Sequence, residues 1–200
     1  MPYLYTRDHC RIYFEDQYLG SPKPAIVFLN GTTQTAISWN GIANILKDRF
    51  QVLAYDARAQ GRSDQGNLPL TLELHTTDLR EVLDHVGLAK AILVGISHGA
   101  SVALAFASSF PERVDRIMLC SVTAAPTCRA GLFVDSWLRI LKREGMEAMV
   151  WAALPMIFGE NFLRQNKAIL EKIVHAISRR NKPGALTAHL KAITAYPQCC

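Results

Sequence analysis

The sequence predicts an α/β fold, a mostly parallel sheet with flanking helices, followed by an all-helical C-terminal third. Three observations predict it. Short apolar runs bounded by turn residues alternate with segments of helical period through about residue 128. From Arg129 to Tyr196 only helical patterns remain. Half of the 200 residues are apolar and 20% are charged, enough material for one sizeable core.

The elements follow in order. Tyr3–Thr6 and Arg11–Tyr18 read as a hairpin around Arg7-Asp8-His9-Cys10. Ala25–Leu29 is a continuous apolar run between Pro24 and Asn30-Gly31, which suits a strand covered on both faces. Ile37–Asp48 has helical character, Phe50–Tyr55 reads as a strand, and a polar, Gly-containing loop runs through Asn67. Thr71–Val86 carries Leu72, Leu79, Val82, Leu83 and Val86 on one helical side. Ala91–Val94 is a predicted strand, Ala100–Phe110 a helix of small and apolar residues, and Val114–Cys120 another strand. Beyond that, helical patterns break at Gly145, Pro155, Gly159 and Pro183. Phe133, Trp137, Ile140 and Leu141 form one expected stripe, and Ile169, Ile173, Ala176 and Ile177 another.

Composition excludes several classes. Nine Pro and twelve Gly are ordinary usage, so disorder and collagen-like repeats are not expected, and no short internal repeat suggests a solenoid. The opening residues lack a basic segment followed by an apolar one, so no secretory signal is expected. Ala91 to Phe110 is twenty residues without a formal charge, long enough to span a bilayer. Gly95, Ser97, His98, Gly99 and Ser101 break its middle, so a strand, a turn and a buried helix are expected and no membrane contact. The five cysteines (10, 120, 128, 199 and 200) are odd in number and lack zinc-type spacing, which suits reduced thiols in a cytoplasm. Residues 1–128 carry a net charge of −1 and residues 129–200 a net +6. These basic residues are scattered along amphipathic patterns and not clustered with exposed aromatics, so nucleic acid is not an expected partner. Solvated helix faces explain them, with attraction of an anionic substrate as the alternative.

The chemistry concentrates at one turn. Gly95-Ile96-Ser97-His98-Gly99 fits G-x-S-x-G, preceded by an apolar strand and followed by a small-residue helix. That context is what a nucleophile elbow requires. The glycines permit a sharp strand-to-helix turn, and the turn lifts the Ser97 hydroxyl above the strand ends. Free N–H groups at the helix start face developing negative charge. Upstream, Leu29-Asn30-Gly31-Thr32-Thr33 leaves the strand at 25–29. Its Thr32 N–H, together with the His98 N–H, would hold a tetrahedral oxyanion, an effect of roughly 2.7–4 kcal/mol per donor.

With these residues in view, the chain resembles the α/β-hydrolase fold family, in its lactonase, esterase and haloperoxidase branch, bacterial enol-lactone hydrolases among the similar members. The matching landmarks are Phe28-Leu29-Asn30-Gly31, Ser38-Trp39, the run Tyr55-Asp56-Ala57-Arg58-Ala59-Gln60-Gly61-Arg62-Ser63-Asp64, Gly95–Gly99, and Phe110-Pro111-Glu112-Arg113-Val114-Asp115-Arg116. Asn30 stands where many members have His, and Ala59 where most have Gly. The resemblance implies a hydrolase core over residues 1–128 and a helical cap over 129–200. It implies a serine hydrolase of carboxylic esters or lactones working through a Ser97 acyl-enzyme, with no metal or organic cofactor. It makes the 56–64 loop structural, and makes Asn30, Gly31, Trp39, Trp137, Trp151 and Phe158 candidate pocket residues, with core packing the alternative for the aromatic ones.

The triad is not completed within 200 residues. The fold's order is Ser, acid, His. Ser121–Pro126 contains no Asp or Glu, and Asp135 falls in a predicted helix. His9, His75, His85 and His175 have no evident place as the triad base, the His98 backbone matters more than its ring, and His189 is the least implausible substitute base. The family's acid and His are expected beyond residue 200, so the chain reads as truncated before the last two strands of the sheet and weakly active or inactive as it stands. Completion by a second chain and a short degenerate member are the alternatives. Without further strands the far edge of 114–120 would be unpaired and apolar. Competing functions are a non-catalytic binding or interaction protein, and acyl transfer, perhydrolysis or C–C hydrolysis at the same serine.

Overall fold

Six strands form one sheet: β1 (Tyr3–Tyr5), β2 (Arg11–Gln17), β3 (Ala25–Leu29), β4 (Gln51–Tyr55), β5 (Ala91–Ile96) and β6 (Val114–Cys120). The computed structural model describes residues 2–17, 19–123 and 127–196. Tyr18, Pro126, Cys199 and Cys200, on which sequence expectations fell, lie outside the described residues. The strand order is β1-β2-β4-β3-β5-β6, with β1 and β2 antiparallel and β2 antiparallel to β4. The pairs β4–β3, β3–β5 and β5–β6 are parallel.

Period-two alternation along the two central strands creates two cores. Val27, Leu29, Leu53 and Tyr55 face one side, where Leu79, Val82 and Leu83 of α2 (Leu72–His85) and Val102 and Phe106 of α3 (His98–Ser109) pack on them. Ile26, Phe28, Val52 and Ala54 face the other, under Ala36, Trp39 and Ala43. These last three come from a 3₁₀ turn (Ala36–Trp39) and α1 (Asn40–Leu46). Burying each large aliphatic side chain contributes about 1.5–3 kcal/mol, which is why a five-residue strand with no polar member holds the centre.

α2 starts where Thr71 Oγ1 accepts from the Leu74 N–H at 3.1 Å, one of four orphan donors at the helix start. The chain then continues through α4 (Cys128–Glu144), α5 (Met146–Ile157), α6 (Glu160–Gln165), α7 (Leu170–Arg180) and α8 (Pro183–Thr194). These helices enclose a third core of Leu141, Met149, Val150, Leu154, Val174, Leu186 and Leu190. Among the described residues no helix is long and apolar enough to cross a membrane. The uncharged run 91–110 is β5, a turn residue and α3.

Four local expectations differ from the structure. The predicted helix at 37–48 divides into the 3₁₀ turn and α1. Pro155 does not end a helix but sits inside α5, which stops two residues later at Ile157. A proline in the last turn removes one backbone hydrogen bond near an end that already lacks partners, so the helix tolerates it. β5 runs to Ile96 and α3 begins at His98, with a single residue between them and not a longer loop. In α7 the buried residue is Val174, while Ile169 lies in a preceding 3₁₀ turn and is exposed.

The 56–64 loop is pinned by buried polar groups. The Asp56 carboxylate accepts from the Ala36 N–H at 2.7 Å and the Arg62 N–H at 2.8 Å, and burial raises its pKa. Arg58 is 1% exposed and donates through Nε and Nη2 to both oxygens of Asp78 on α2, at 2.7 and 2.8 Å. Its Nη1 and Nη2 also reach Asp8, in the β1–β2 turn, at 2.7 and 2.5 Å. The hydrogen bond from Arg58 holds the Asp8 carboxyl well below the usual carboxylate range. Ala59 sits at φ 62°, a left-handed conformation that costs a residue with a Cβ roughly 1–2 kcal/mol.

Candidate active site

Ser97 occupies the single position between β5 and α3, at φ 52° and ψ −118°. The strain is over-determined by its neighbours. Its N–H donates to the Cys120 carbonyl at the end of β6, at 2.9 Å, and its carbonyl accepts from Ala100 and Ser101 at 2.9 and 3.1 Å. The two flanking glycines are required by close approach. A Cβ on Gly95 would lie 2.5 Å from the Gly99 carbonyl oxygen, and one on Gly99 would collide with the Leu29 and Asn30 carbonyls. The Ser97 side chain makes no cap to its own helix and is exposed. Among the described residues no group accepts its proton.

Ser97 lines a cavity of about 380 Å³ together with Thr32 and His98. The rest of the wall is mostly apolar: Leu72 of α2, Phe133, Val134 and Trp137 of α4, Met156 of α5, Ile193 of α8 and Tyr196. No Lys, Arg, Asp or Glu lines it among the described residues. The net +6 of the C-terminal helices is therefore spent on other surfaces, and an anionic substrate gains no charge partner in this cavity. Thr32 follows the exit of β3, and its backbone N–H and that of His98 meet no acceptor among the described residues.

The other expected pocket residues are elsewhere. The Asn30 side chain is buried, donating to the Tyr55 carbonyl at 2.8 Å and accepting from the Trp39 indole N–H at 2.7 Å. Trp39 stacks on Phe28 at 4.4 Å between ring centres, so it is core and not pocket wall. Gly31 donates its N–H to Gln34 Oε1 at 2.8 Å. Trp151 lies on the outer side of the helical block against α7, 43% exposed, and Phe158 stacks on Phe162 within that block. Of the aromatic candidates only Trp137 reaches the cavity.

Three histidines converge beside the elbow. His75, His98 and His189 are buried, with His98 4.8 Å from His75 and 4.5 Å from His189 between ring centres. His189 Nε2 lies 3.3 Å from Thr32 Oγ1 and 3.2 Å from the Gln60 side-chain nitrogen, so its ring meets the loop after β3 and not Ser97. His98 Nε2 meets the Tyr196 hydroxyl at 3.1 Å. Burial is the main cause that lowers the pKa of His75 to about 3 and of His189 to about 4, and His98 falls well below its usual value. All three are neutral imidazoles at neutral pH. The sequence signal for two of them was spacing. His75 falls between Leu72 and Leu79 on the apolar face of α2, and His189 falls between Leu186 and Leu190 on that of α8.

Comparison with known proteins agrees with the fold. Residues 24–140 match the family model described as alpha/beta hydrolase fold. The 3-oxoadipate enol-lactonase 2 of Acinetobacter baylyi is 25% identical over 178 residues, 89% of this chain and 62% of that protein. A putative carbamate hydrolase, RutD, of Caulobacter sp. is 26% identical over 178 residues, 88% of this chain and 66% of its own length. An uncharacterized Mycobacterium tuberculosis protein is 31% identical over 134 residues, 67% of this chain and 38% of that protein. The chain thus spans from under two fifths to about two thirds of the length of these relatives. Among solved structures, an alpha/beta hydrolase enzyme, MGS-M2, from a deep-sea metagenome library superposes with a TM-score of 0.86 at 27% identity. That match covers 95% of this chain and 70% of the other. The enol-lactonase of Burkholderia xenovorans LB400 gives 0.84 at 24% identity over 97% of this chain and 74% of its own, a likeness of fold. The strained serine between two close-packed glycines, the strand order and the matched 24–140 segment together place this chain in the α/β-hydrolase fold family.

Proposed function

We propose that the protein is a serine hydrolase of carboxylic esters or lactones in which Ser97 attacks the acyl carbon. The observation that carries this reading is the Ser97 backbone, held at φ 52° with an uncapped, exposed hydroxyl on the wall of an apolar cavity. A serine in an ordinary turn has no need of a left-handed backbone enforced by two glycines that tolerate no Cβ. The Thr32 and His98 N–H groups hold the tetrahedral oxyanion at the start of α3, where the helix dipole adds to the stabilisation. Collapse of the intermediate leaves an acyl-enzyme, which water releases.

A serine needs a base to be a competent nucleophile. In this proposal the base and its acid come from chain beyond these 200 residues, as the partial coverage of the relatives supports. Residues 129–200 then act as the cap, with Phe133, Trp137 and Met156 shaping the acyl site. The wall favours a neutral, apolar acyl group over a charged one. The free thiols Cys10, Cys120 and Cys128 suit a reducing, cytoplasmic setting.

Fluorophosphonate labelling of the longer natural protein tests the assignment, with Ser97→Ala as the control. Labelling of the wild type and none of the variant is expected. Equal labelling of both would overturn the nucleophile assignment, and no labelling of either would favour a non-catalytic binding protein. Product analysis with competing alcohols separates hydrolysis from acyl transfer.

A further inference from the structure

His75 on α2, His98 on α3 and His189 on α8 bring together helices that are far apart in the chain. One ring nitrogen of each lies within 4.8 Å of one from each of the others. The rings are 1%, 5% and 0% exposed. Each carries a buried nitrogen with no hydrogen-bond partner among the described residues: His75 Nε2, His98 Nδ1 and His189 Nδ1. Three such atoms in one place are unusual, because buried polar groups are nearly always paired.

The opposite nitrogens of two rings are occupied. His98 Nε2 lies 3.1 Å from the Tyr196 hydroxyl, and His189 Nε2 lies 3.3 Å from Thr32 Oγ1 and 3.2 Å from the Gln60 amide nitrogen. The Tyr196 and Thr32 hydroxyls can accept as well as donate, so the Nε2–H tautomer leaves an Nδ1 lone pair on each ring; at His189 it requires the Gln60 amide to turn its unpartnered Oε1 toward Nε2. This is the arrangement that metal-bound imidazoles show, one nitrogen on the ion and the other held by an outer polar group. Burial keeps all three imidazoles neutral, the form that binds metals.

We propose that His75, His98 and His189 form a site for a zinc-type divalent transition-metal ion, which staples α8 to α2 and α3. Imidazole nitrogens suit zinc, cobalt, nickel and copper. Zinc–nitrogen bonds of about 2.0–2.1 Å in tetrahedral geometry place ligand nitrogens about 3.4 Å apart, so each ring needs to move by less than about 1 Å from its present place. The fourth position is left to water. The site was not expected from the sequence, where no metal was implied. It stands independently of the reaction proposed for Ser97, and it acts on that site only through His98, the neighbour of Ser97, and through Thr32.

The test uses the longer natural protein, stripped with a chelator and dialysed. Cobalt(II) titration is followed by visible absorption and zinc(II) titration by calorimetry. One equivalent of saturable binding is expected, with a thermal midpoint that rises with zinc concentration. His75→Gln and His189→Gln should each weaken binding by more than about tenfold, and Tyr196→Phe by about tenfold through the outer hydrogen bond. His175→Ala, which removes an exposed histidine paired with Glu147, should leave binding unchanged. Absence of saturable binding, or binding that survives both glutamine variants, would overturn the site and leave a buried water as the occupant of these nitrogens. If those variants lose their far-UV circular dichroism, X-ray absorption of the zinc-loaded wild-type chain decides. Three imidazoles around the metal are expected, and one or none overturns the proposal.

Discussion

β3 and β6 use similar apolar residues and end in opposite circumstances. β3 has a neighbour on each edge and a core on each face, and all five of its residues are buried. β6 pairs only with β5 among the described strands, and it leaves Ile117 41% and Met118 60% exposed. β6 carries the charged Asp115 and Arg116 where β3 is wholly apolar, and its Ile117 and Met118 lack the cover that β3 has on both faces. The exit end of β3, in the middle of the sheet, is tight: a Cβ on Gly99 would meet the Leu29 and Asn30 carbonyls. The β6 edge is held by one ladder of hydrogen bonds and by Val114 and Leu119 against the core, while the exposed Ile117 and Met118 contribute little to the folded state.

Substitutions that break the tight end should be costly. The largest effect is expected for Asp78→Ala, which leaves the Arg58 guanidinium buried with only Asp8 to answer it. Removing one partner of a buried pair costs about 3–5 kcal/mol, read as the shift in urea-unfolding free energy. The same network gives a pH dependence. Asp8 titrates below its usual value of 3.8 when folded, so its contribution is complete above that value and is lost as pH falls below it. Asp8→Asn should flatten the acid side of the stability profile, and an unchanged acid limb would count against the pairing. Gly99→Ala should cost about 3 kcal/mol, because the new methyl group meets the Leu29 and Asn30 carbonyls and backbone yields less readily than side chain. The smallest effect belongs to the other end. Met118→Lys should change stability by no more than about 0.5 kcal/mol. It should nonetheless reduce concentration-dependent self-association in light scattering, since a charge on an exposed edge opposes strand pairing. A loss comparable to that of Gly99→Ala would mean that β6 is covered in solution.

Legibility in the sequence followed locality. The strands were readable because apolar runs between turn residues are a local signal. The sharp strand-to-helix turn at Ser97 was readable because G-x-S-x-G between a strand and a small-residue helix is one too. Thr32, expected from the sequence as an oxyanion donor, lines the cavity because the end of β3 fixes where the next loop emerges. Trp39 was not, since nothing local shows that its indole N–H is taken by Asn30 or its ring by Phe28. The histidine cluster was invisible for a related reason. Residues 75, 98 and 189 meet only through tertiary packing, and each sits where an apolar residue would serve the local pattern. Pro155 and the 3₁₀ turn before α1 show the converse, in which packing overrides a local stop or start signal.

The helices from 128 to 194 enclose a core that shares no buried residue with the two cores of the sheet. In terms of heredity, the protein carries two nearly separate texts. A substitution at Leu141 or Leu186 is felt among the C-terminal helices, while Val27 and Leu53 belong to the sheet, and distant sites of this kind combine additively. Phe133, Trp137 and Met156 lie on the margin between the two, facing the serine from helices whose interior the sheet does not constrain. Substitutions that reshape the cavity wall can therefore rewrite one text without disturbing the backbone geometry of Ser97 that the other preserves.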